Sequence, residues 1–142
     1  MTRTGFTLIE IIVVMGIIAI LAGFGYPMYS AVRASASMVA TTESVEQAVR
    51  QAHGYAMAMK NGAPWGTYVG AGTVVVFSGA TYASRDTSKD VTYVLDSGLV
   101  VSGTTEYDFA AVTGRPTSAG STTLTIVNSS KSFTVNALGI IQ

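Results

Sequence analysis

One carboxylate stands inside a long apolar run near the start of the chain. Between Thr4 and Val32 the one residue with a formal charge is Glu10, and the other residues of 6–24 are suited to lipid. A carboxylate in such a run costs about 2.5–3.5 kcal/mol on membrane-insertion scales. Pairing with an ammonium group makes its burial tolerable, and loss of one partner then costs about 3–5 kcal/mol. Glu10 is therefore a candidate for a paired charge that selects register. The alternative is an acid at the helix end whose side chain reaches the lipid boundary.

The run that carries Glu10 has the length of a membrane-spanning helix, since about 20 mostly apolar residues suffice. Glycine weakens a helix by about 1 kcal/mol relative to alanine, and proline removes a backbone donor and kinks the helix. Gly23, Gly25 and Pro27 lie close together near the end of the run. We therefore predict bending or local melting between Ala22 and Pro27.

A short polar leader precedes this run. Met1-Thr2-Arg3-Thr4-Gly5 carries one positive charge and is followed by Phe6 and then Thr7-Leu8-Ile9-Glu10. On these residues the chain resembles the type IV pilin and type II secretion pseudopilin superfamily, whose precursors carry a class III signal peptide. The resemblance implies that a prepilin peptidase cuts after Gly5 and methylates Phe6. It also implies that Glu10 neutralises the terminal amine of a neighbouring subunit during assembly.

An ordinary secretory signal peptide is the competing interpretation of this N-terminus. Such signals end in small residues at an A-x-A-like cleavage site. The candidate exit here, Tyr26-Pro27-Met28-Tyr29-Ser30-Ala31, lacks small residues at the required places. An acid at the start of the apolar region also argues against this interpretation.

The composition fits one domain with an apolar extension. The chain has 142 residues, a formal net charge of zero and no cysteine, so there is no global electrostatic case for nucleic-acid binding and no disulfide. We predict a leader peptide at 1–5, a transmembrane or filament-core helix at 6–29, an amphipathic helix at 30–62 and a β-sheet region at 63–142.

An amphipathic helix is predicted to continue after the apolar run and to end at Lys60. Its apolar stripe consists of Met38, Val45, Val49, Ala52, Ala56 and Met59. Glu46 and Arg50 form an i,i+4 pair away from the stripe, and Asn61-Gly62-Ala63-Pro64 is a stop signal. His53, the single histidine, is predicted to be a surface or boundary residue.

Strand patterns replace the helical period after Pro64. Three hairpins and one further strand are predicted: 65–69 with 73–77, 91–95 with 99–101, 122–127 with 132–135, and the strand 107–112. Glu106 and Asp108 alternate with Tyr107 and Phe109 and should lie on the solvent face. The predicted fold class is α+β, a long N-terminal helix packed on a small antiparallel β-sheet domain, as in the pilin fold.

Within the superfamily, the C-terminal part is most similar to the GspH/FimT group of minor pilins and pseudopilins. The matching motifs are Gly62-Ala63-Pro64-Trp65-Gly66, Phe77-Ser78-Gly79, Phe109 before Gly114-Arg115-Pro116, and the ending 133–140. Some FimT-like proteins capture DNA, which needs a basic patch. The last forty residues carry Arg115 and Lys131 as their basic side chains, so nucleic-acid binding is not expected.

Other reactive side chains form no recognisable site in the sequence. Asp86, Asp90 and Asp96 do not match a calcium loop, and Arg85 and Lys89 should neutralise the first two, which favours a solvated loop. No Gly-x-Ser-x-Gly elbow or other catalytic constellation occurs. We therefore predict no enzyme, no cofactor and no metal.

The expected function is that of a structural subunit of a type IV pilus-like filament. The resemblance implies a single-pass precursor in the inner or cytoplasmic membrane that becomes part of an extracellular or periplasmic filament. Its partners would be a prepilin peptidase, an assembly platform with its ATPase, other pilins and further copies of itself. The alternative is a minor, membrane-anchored binding component that does not polymerise.

Overall fold

The computed structural model of this protein describes residues 5–127 and 129–142, with the side chains of residues 24–28 and 31 left aside. Four residues of the predicted leader, 1–4, lie outside this part of the chain, as does Asn128 in the link of the last predicted hairpin. The chain divides into two compact units, Met1–Ala34 and Ser35–Gln142.

A single helix, α1 (Leu8–Met57), contributes residues to both units. It begins two residues later than predicted, because Thr7 accepts the backbone N–H bonds of Glu10 and Ile11 and so stands just before the first turn. The backbone stays helical across residues 22–27, so the local melting expected there does not occur. The bend at Gly23, Gly25 and Pro27 remains a prediction.

The predicted apolar stripe of α1 is confirmed with one exception. Met38, Val45, Val49, Ala52 and Ala56 are buried, and Ala48, which the stripe had not included, joins them.

Met59 was wrongly assigned to that stripe. The helix ends at Met57, and Met59 has a left-handed backbone (φ 49°) that turns its side chain out, leaving it 47% exposed. The helix therefore ends three residues before Lys60, its predicted last residue. A short 3₁₀ turn, Lys60–Gly62, follows, with Asn61 and Gly62 also at positive φ.

In the described residues after Pro64, seven antiparallel strands form two sheets. They are β1 (Trp65–Gly70), β2 (Thr73–Ser78), β3 (Val91–Val94), β4 (Leu99–Gly103), β5 (Glu106–Phe109), β6 (Gly120–Ile126) and β7 (Ser129–Val135). The first sheet has the order β3-β2-β1-β5 and the second the order β4-β6-β7. The predicted hairpins β1–β2 and β6–β7 are confirmed, but β7 begins three residues earlier than predicted, at Ser129, and the predicted strand 107–112 ends at Phe109.

The predicted hairpin of residues 91–95 with 99–101 is wrong. Strand β3 pairs with β2, whereas β4 pairs with β6 in the other sheet. Leu95 and Leu99 are both buried, and Leu95 donates its N–H to the carbonyl of Gly72. The turn between them therefore carries the chain from one sheet to the other, because each leucine enters the core with a different sheet.

The core joins α1 of the second unit to both sheets. Trp65 lies 1% exposed against Tyr55 (ring centroids 4.9 Å apart), and its Nε1 donates to the carbonyl of Lys60 at 2.8 Å. Thr67 of β1 donates to the carbonyl of Ala48, and Leu124 and Phe133 of the second sheet belong to the same cluster. The predicted α+β class, a long N-terminal helix packed on an antiparallel β-sheet domain, is confirmed and is consistent with the pilin fold.

We expect a protein lacking residues 1–34 to be a soluble, folded monomer. The core cluster lies within residues 35–142, and none of its buried side chains comes from the described side chains among the removed residues. Size-exclusion chromatography and urea unfolding would measure this. Aggregation, or unfolding without a cooperative transition, would show that the division at residue 34 does not mark an independent unit.

Candidate functional site

The predicted processing junction has an open environment in this structure. Gly5 and Phe6 precede α1 without helical structure, and the Phe6 side chain is 79% exposed. A Cβ added to Gly5 would meet no atom of the described chain within 4 Å. Folding of the described residues therefore does not require glycine at this position. A requirement for a small residue would have to come from another molecule that grips the junction.

Thr7 and Glu10 form the start of the helix together. The backbone N–H of Glu10 lies 3.4 Å from Oγ1 of Thr7, three residues earlier. Thr7 is thus the N-cap residue, and Thr7-Leu8-Ile9-Glu10 has the S/T-x-x-E spacing of a capping box. A negative charge in the first turn also suits the positive end of the helix dipole. Sequence reasoning missed Thr7 as a cap, although this spacing signals it.

The helix that follows Glu10 carries apolar side chains on every side. In the single chain, Glu10 itself is exposed. The exposed large apolar residues nearest it are Leu8, Ile9, Ile11, Ile12, Val13, Val14, Met15, Ile17, Ile18, Ile20 and Leu21. A helix that is apolar all round is normally a buried one, and exposed apolar area on this scale marks an interaction surface.

For the described part of the chain, no helix combines the length and the apolar character that crossing a membrane would need.

Small residues on this helix leave room for close neighbours. Added Cβ atoms at Gly16 and Gly23 would meet nothing within 4 Å in the described structure. Contacts inside the described chain therefore do not require glycine at these two positions. Small residues are what permit helices to approach closely.

His53 lies at the boundary of the core, as predicted. Its ring is half-buried and 5.3 Å from that of Phe109. Gly114 and Gly139, both at positive φ, sit so close that a Cβ at either would come within 3 Å of the imidazole. The histidine is thus a packing residue under two backbone turns.

The acidic loop forms ion pairs as predicted. Asp90 accepts from Nε of Arg85 at 2.8 Å, and Asp86 lies 3.1 Å from Nζ of Lys89. Hydrogen bonds from Ser88, then the contact with Lys89, lower the pKa of Asp86. Asp96 instead accepts from Ser37 and from the backbone of Gly98. Within residues 5–127 and 129–142, the acidic and histidine side chains form no group that could hold a metal ion.

Glu106 and Asp108 lie on the face of β5 opposite the buried Tyr107 and Phe109, as the alternation predicted, but that face is not open to solvent. Both are half-buried, because the segment after β2 folds over the outer face of the first sheet. Burial, followed by the charge of Glu106, raises the pKa of Asp108 to about 6. The alternation had identified the correct face of β5 but could not reveal what covers it.

Comparison with known proteins identifies the N-terminus. The family model described as the prokaryotic N-terminal methylation motif matches residues 1–26 of this chain. No curated protein matches the sequence. No solved structure matches it either.

Proposed function

We propose that this chain is a structural subunit of a type IV pilus-like or pseudopilus filament. The observation that carries the proposal is the methylation motif at residues 1–26 leading into a helix whose side chains are exposed and apolar on every side. Such a surface is unfavourable in water. Lipid would cover it in the precursor, and the helices of other subunits would cover it in the filament.

The precursor is inserted in the inner or cytoplasmic membrane through residues 6–29. A prepilin peptidase cuts between Gly5 and Phe6 and methylates the new terminal amine. An assembly platform driven by an ATPase then transfers the subunit into an extracellular or periplasmic filament, where it contacts copies of itself and other pilins. This order of events is supported by the motif and by the open junction at Gly5, which leaves the cleavage site accessible.

Glu10 pairs with the Phe6 amine of a neighbouring copy in the filament. The support is its exposure in the single chain, because a carboxylate with no cover is available to a partner. The Thr7 cap fixes Glu10 in the first turn of the helix. At this end of the helix the terminal amine of a neighbouring copy can approach it. Burial of both charges is tolerable as a pair and costly for either one alone.

The second unit is best assigned to the GspH/FimT group of subunits. Support comes from three glycines of these motifs, because a side chain at any of their positions would clash with neighbouring atoms. Gly66 has the Phe77 ring and the Asp108 carboxylate directly over its Cα, and Gly114 and Gly139 have positive φ beside His53. Side chains at these three positions would disturb the packing around Phe77, Asp108 and His53.

Gly5 variants test the processing step. We expect Gly5→Ala to be processed partly and Gly5→Glu not at all, because a peptidase that grips a small residue cannot accommodate a larger charged one. Cells expressing each variant with a prepilin peptidase would be fractionated, and the membrane protein would be sized by mass spectrometry. Gly16→Ala is the matched control, since its site is equally open. Normal processing of Gly5→Glu, or a mature terminus near Ser30, would reject the proposal.

A further inference from the structure

The connection between β2 and β3 is held down on the first sheet by a small number of polar contacts. This β2–β3 loop comprises residues 79–90 and includes two short 3₁₀ turns, Tyr82–Ser84 and Thr87–Lys89. Its start is fixed by the N–H of Gly79, which donates to the carbonyl of Pro64, and the N–H of Asp86 donates to the carbonyl of Ser78. Between these points the loop depends on Tyr82.

Tyr82 is the residue through which the loop contacts the sheet. Its ring stacks on Tyr68 of β1 at 4.1 Å and meets Phe77 of β2 edge-on at 5.6 Å. The Arg85 guanidinium covers the other face of the ring at 3.7 Å. The backbone N–H of Tyr82 donates to Oε1 of Glu106 at 2.6 Å, which ties the loop to the edge strand β5.

Glu106 therefore acts as a clamp, and Asp108 lies beside it. The two acids are two residues apart on β5 and so share one face of the strand. Both side chains are half-buried on that face. Among the residues that the structure describes, none donates to the buried Oδ1 of Asp108. Asp108 is opposite Gly66 in the β1–β5 pair, where a Cβ would lie 2.8 Å from that oxygen.

We propose that Glu106 and Asp108 form a pH-sensitive clamp on the β2–β3 loop, in which Asp108 holds a proton under mildly acidic conditions and releases it to solvent as the pH rises. With the proton present, Asp108 donates to Glu106, and the other oxygen of Glu106 stays directed at the N–H of Tyr82. Without it, two carboxylates face each other at short range. Their repulsion moves Glu106 and weakens its bond to the loop.

The surroundings of the pair favour this behaviour. The neighbouring strands contribute Gly66, Tyr68 and Phe77, and the loop contributes Tyr82 and Arg85. Arg85 is already bonded to Asp90 and Lys89 to Asp86, so both cations of the loop are paired with acids of the loop itself. The raised pKa of Asp108 is caused first by burial and then by the charge of Glu106.

The sign of the pH effect follows from that raised pKa. The folded state holds the proton of Asp108 more tightly than the unfolded state does, so its contribution to stability is complete below the ordinary pKa of 3.8 and is lost as the pH rises through about 6. The loop is therefore tightest in mild acid and looser at neutral pH.

Hydrogen-exchange mass spectrometry of the full chain in detergent micelles tests the clamp. Protection of peptides covering residues 79–90, relative to β2 peptides and corrected for the intrinsic pH dependence of exchange, would be compared at about pH 5 and about pH 7.5. We expect this protection to fall roughly tenfold between the two pH values. A pKa shift of about two units allows a change of up to about a hundredfold. Asp108→Asn should remove this step, and Asp86→Asn, an exposed acid of the same loop whose pKa is lowered, should retain it.

A carbon NMR titration of the Asp108 carboxyl group in the same micelles supplies a second readout. We expect a midpoint near 6, moving to lower pH in Glu106→Gln because the neighbouring charge is gone. An unchanged exchange step in Asp108→Asn, no step in the parent protein, or a midpoint near the ordinary value would each overturn the clamp.

Discussion

Replacing Glu10 with alanine should abolish filaments while leaving the subunit in the membrane. Insertion becomes easier by about 2.5–3.5 kcal/mol when the acid is removed from the apolar run. Each incoming Phe6 amine would then be buried without its partner, at a cost of about 3–5 kcal/mol per subunit. Cleavage after Gly5 should largely persist, because the substitution leaves the leader side of the junction, residues 1–5, unchanged. The ratio of sheared filament to membrane-held subunit measures the effect.

Two further variants separate the pairing from the mere presence of charge. Glu10→Asp keeps the carboxylate but shortens its reach by one methylene, so partial assembly is expected. Glu43→Ala removes an exposed acid from the same helix and should assemble normally. Normal filaments from Glu10→Ala would exclude the pairing and leave Glu10 as an acid at the lipid boundary.

Replacing Trp65 with alanine should strongly destabilise the second unit. The side chain is 1% exposed, contacts Tyr55 edge-on and bonds the carbonyl of Lys60. Truncating a buried tryptophan costs about 3–5 kcal/mol, a large part of the 5–15 kcal/mol that stabilises a typical domain. The loss should appear as a lower urea midpoint for the full chain in micelles, followed by near-ultraviolet circular dichroism.

Trp65→Phe is the matched control for that substitution. It keeps most of the ring packing and removes the indole donor, so a smaller loss of about 1–2 kcal/mol is expected. Equal midpoints for Trp65→Ala and the parent protein would mean that the core does not depend on the contact between α1 and β1.

The two confirmed hairpins were predictable because their signals are local. Gly70-Ala71-Gly72 lies between the run 65–69, with its aromatic and β-branched residues, and the valine-rich run 73–77, and the polar link Asn128-Ser129-Ser130-Lys131 separates the runs 122–127 and 132–135. The pairing of β3 and β4 was not predictable in this way, since a turn signal at Asp96-Ser97-Gly98 says nothing about which sheet each leucine beside it enters. Strand partners far apart in sequence are chosen by packing, which a local pattern does not encode.

The N-terminal site could be predicted from the sequence because its residues differ in polarity from the neighbours within one short segment. Glu10 is conspicuous as a charge in an apolar run, and Gly5 as the last residue of a polar leader. Asp108 and Met59 show the opposite case. The burial of Asp108 depends on a loop that folds back across the sheet, and the exposure of Met59 on a left-handed backbone two residues after the helix.

The most direct measurement of the central claim is the intact mass of this protein recovered from filaments sheared off the cell surface or, for a pseudopilus, isolated from the periplasm. The account predicts a polypeptide that begins at Phe6 and carries one methyl group on its terminal amine. A recovered protein that still begins at Met1, or one that begins near Ser30, would contradict it.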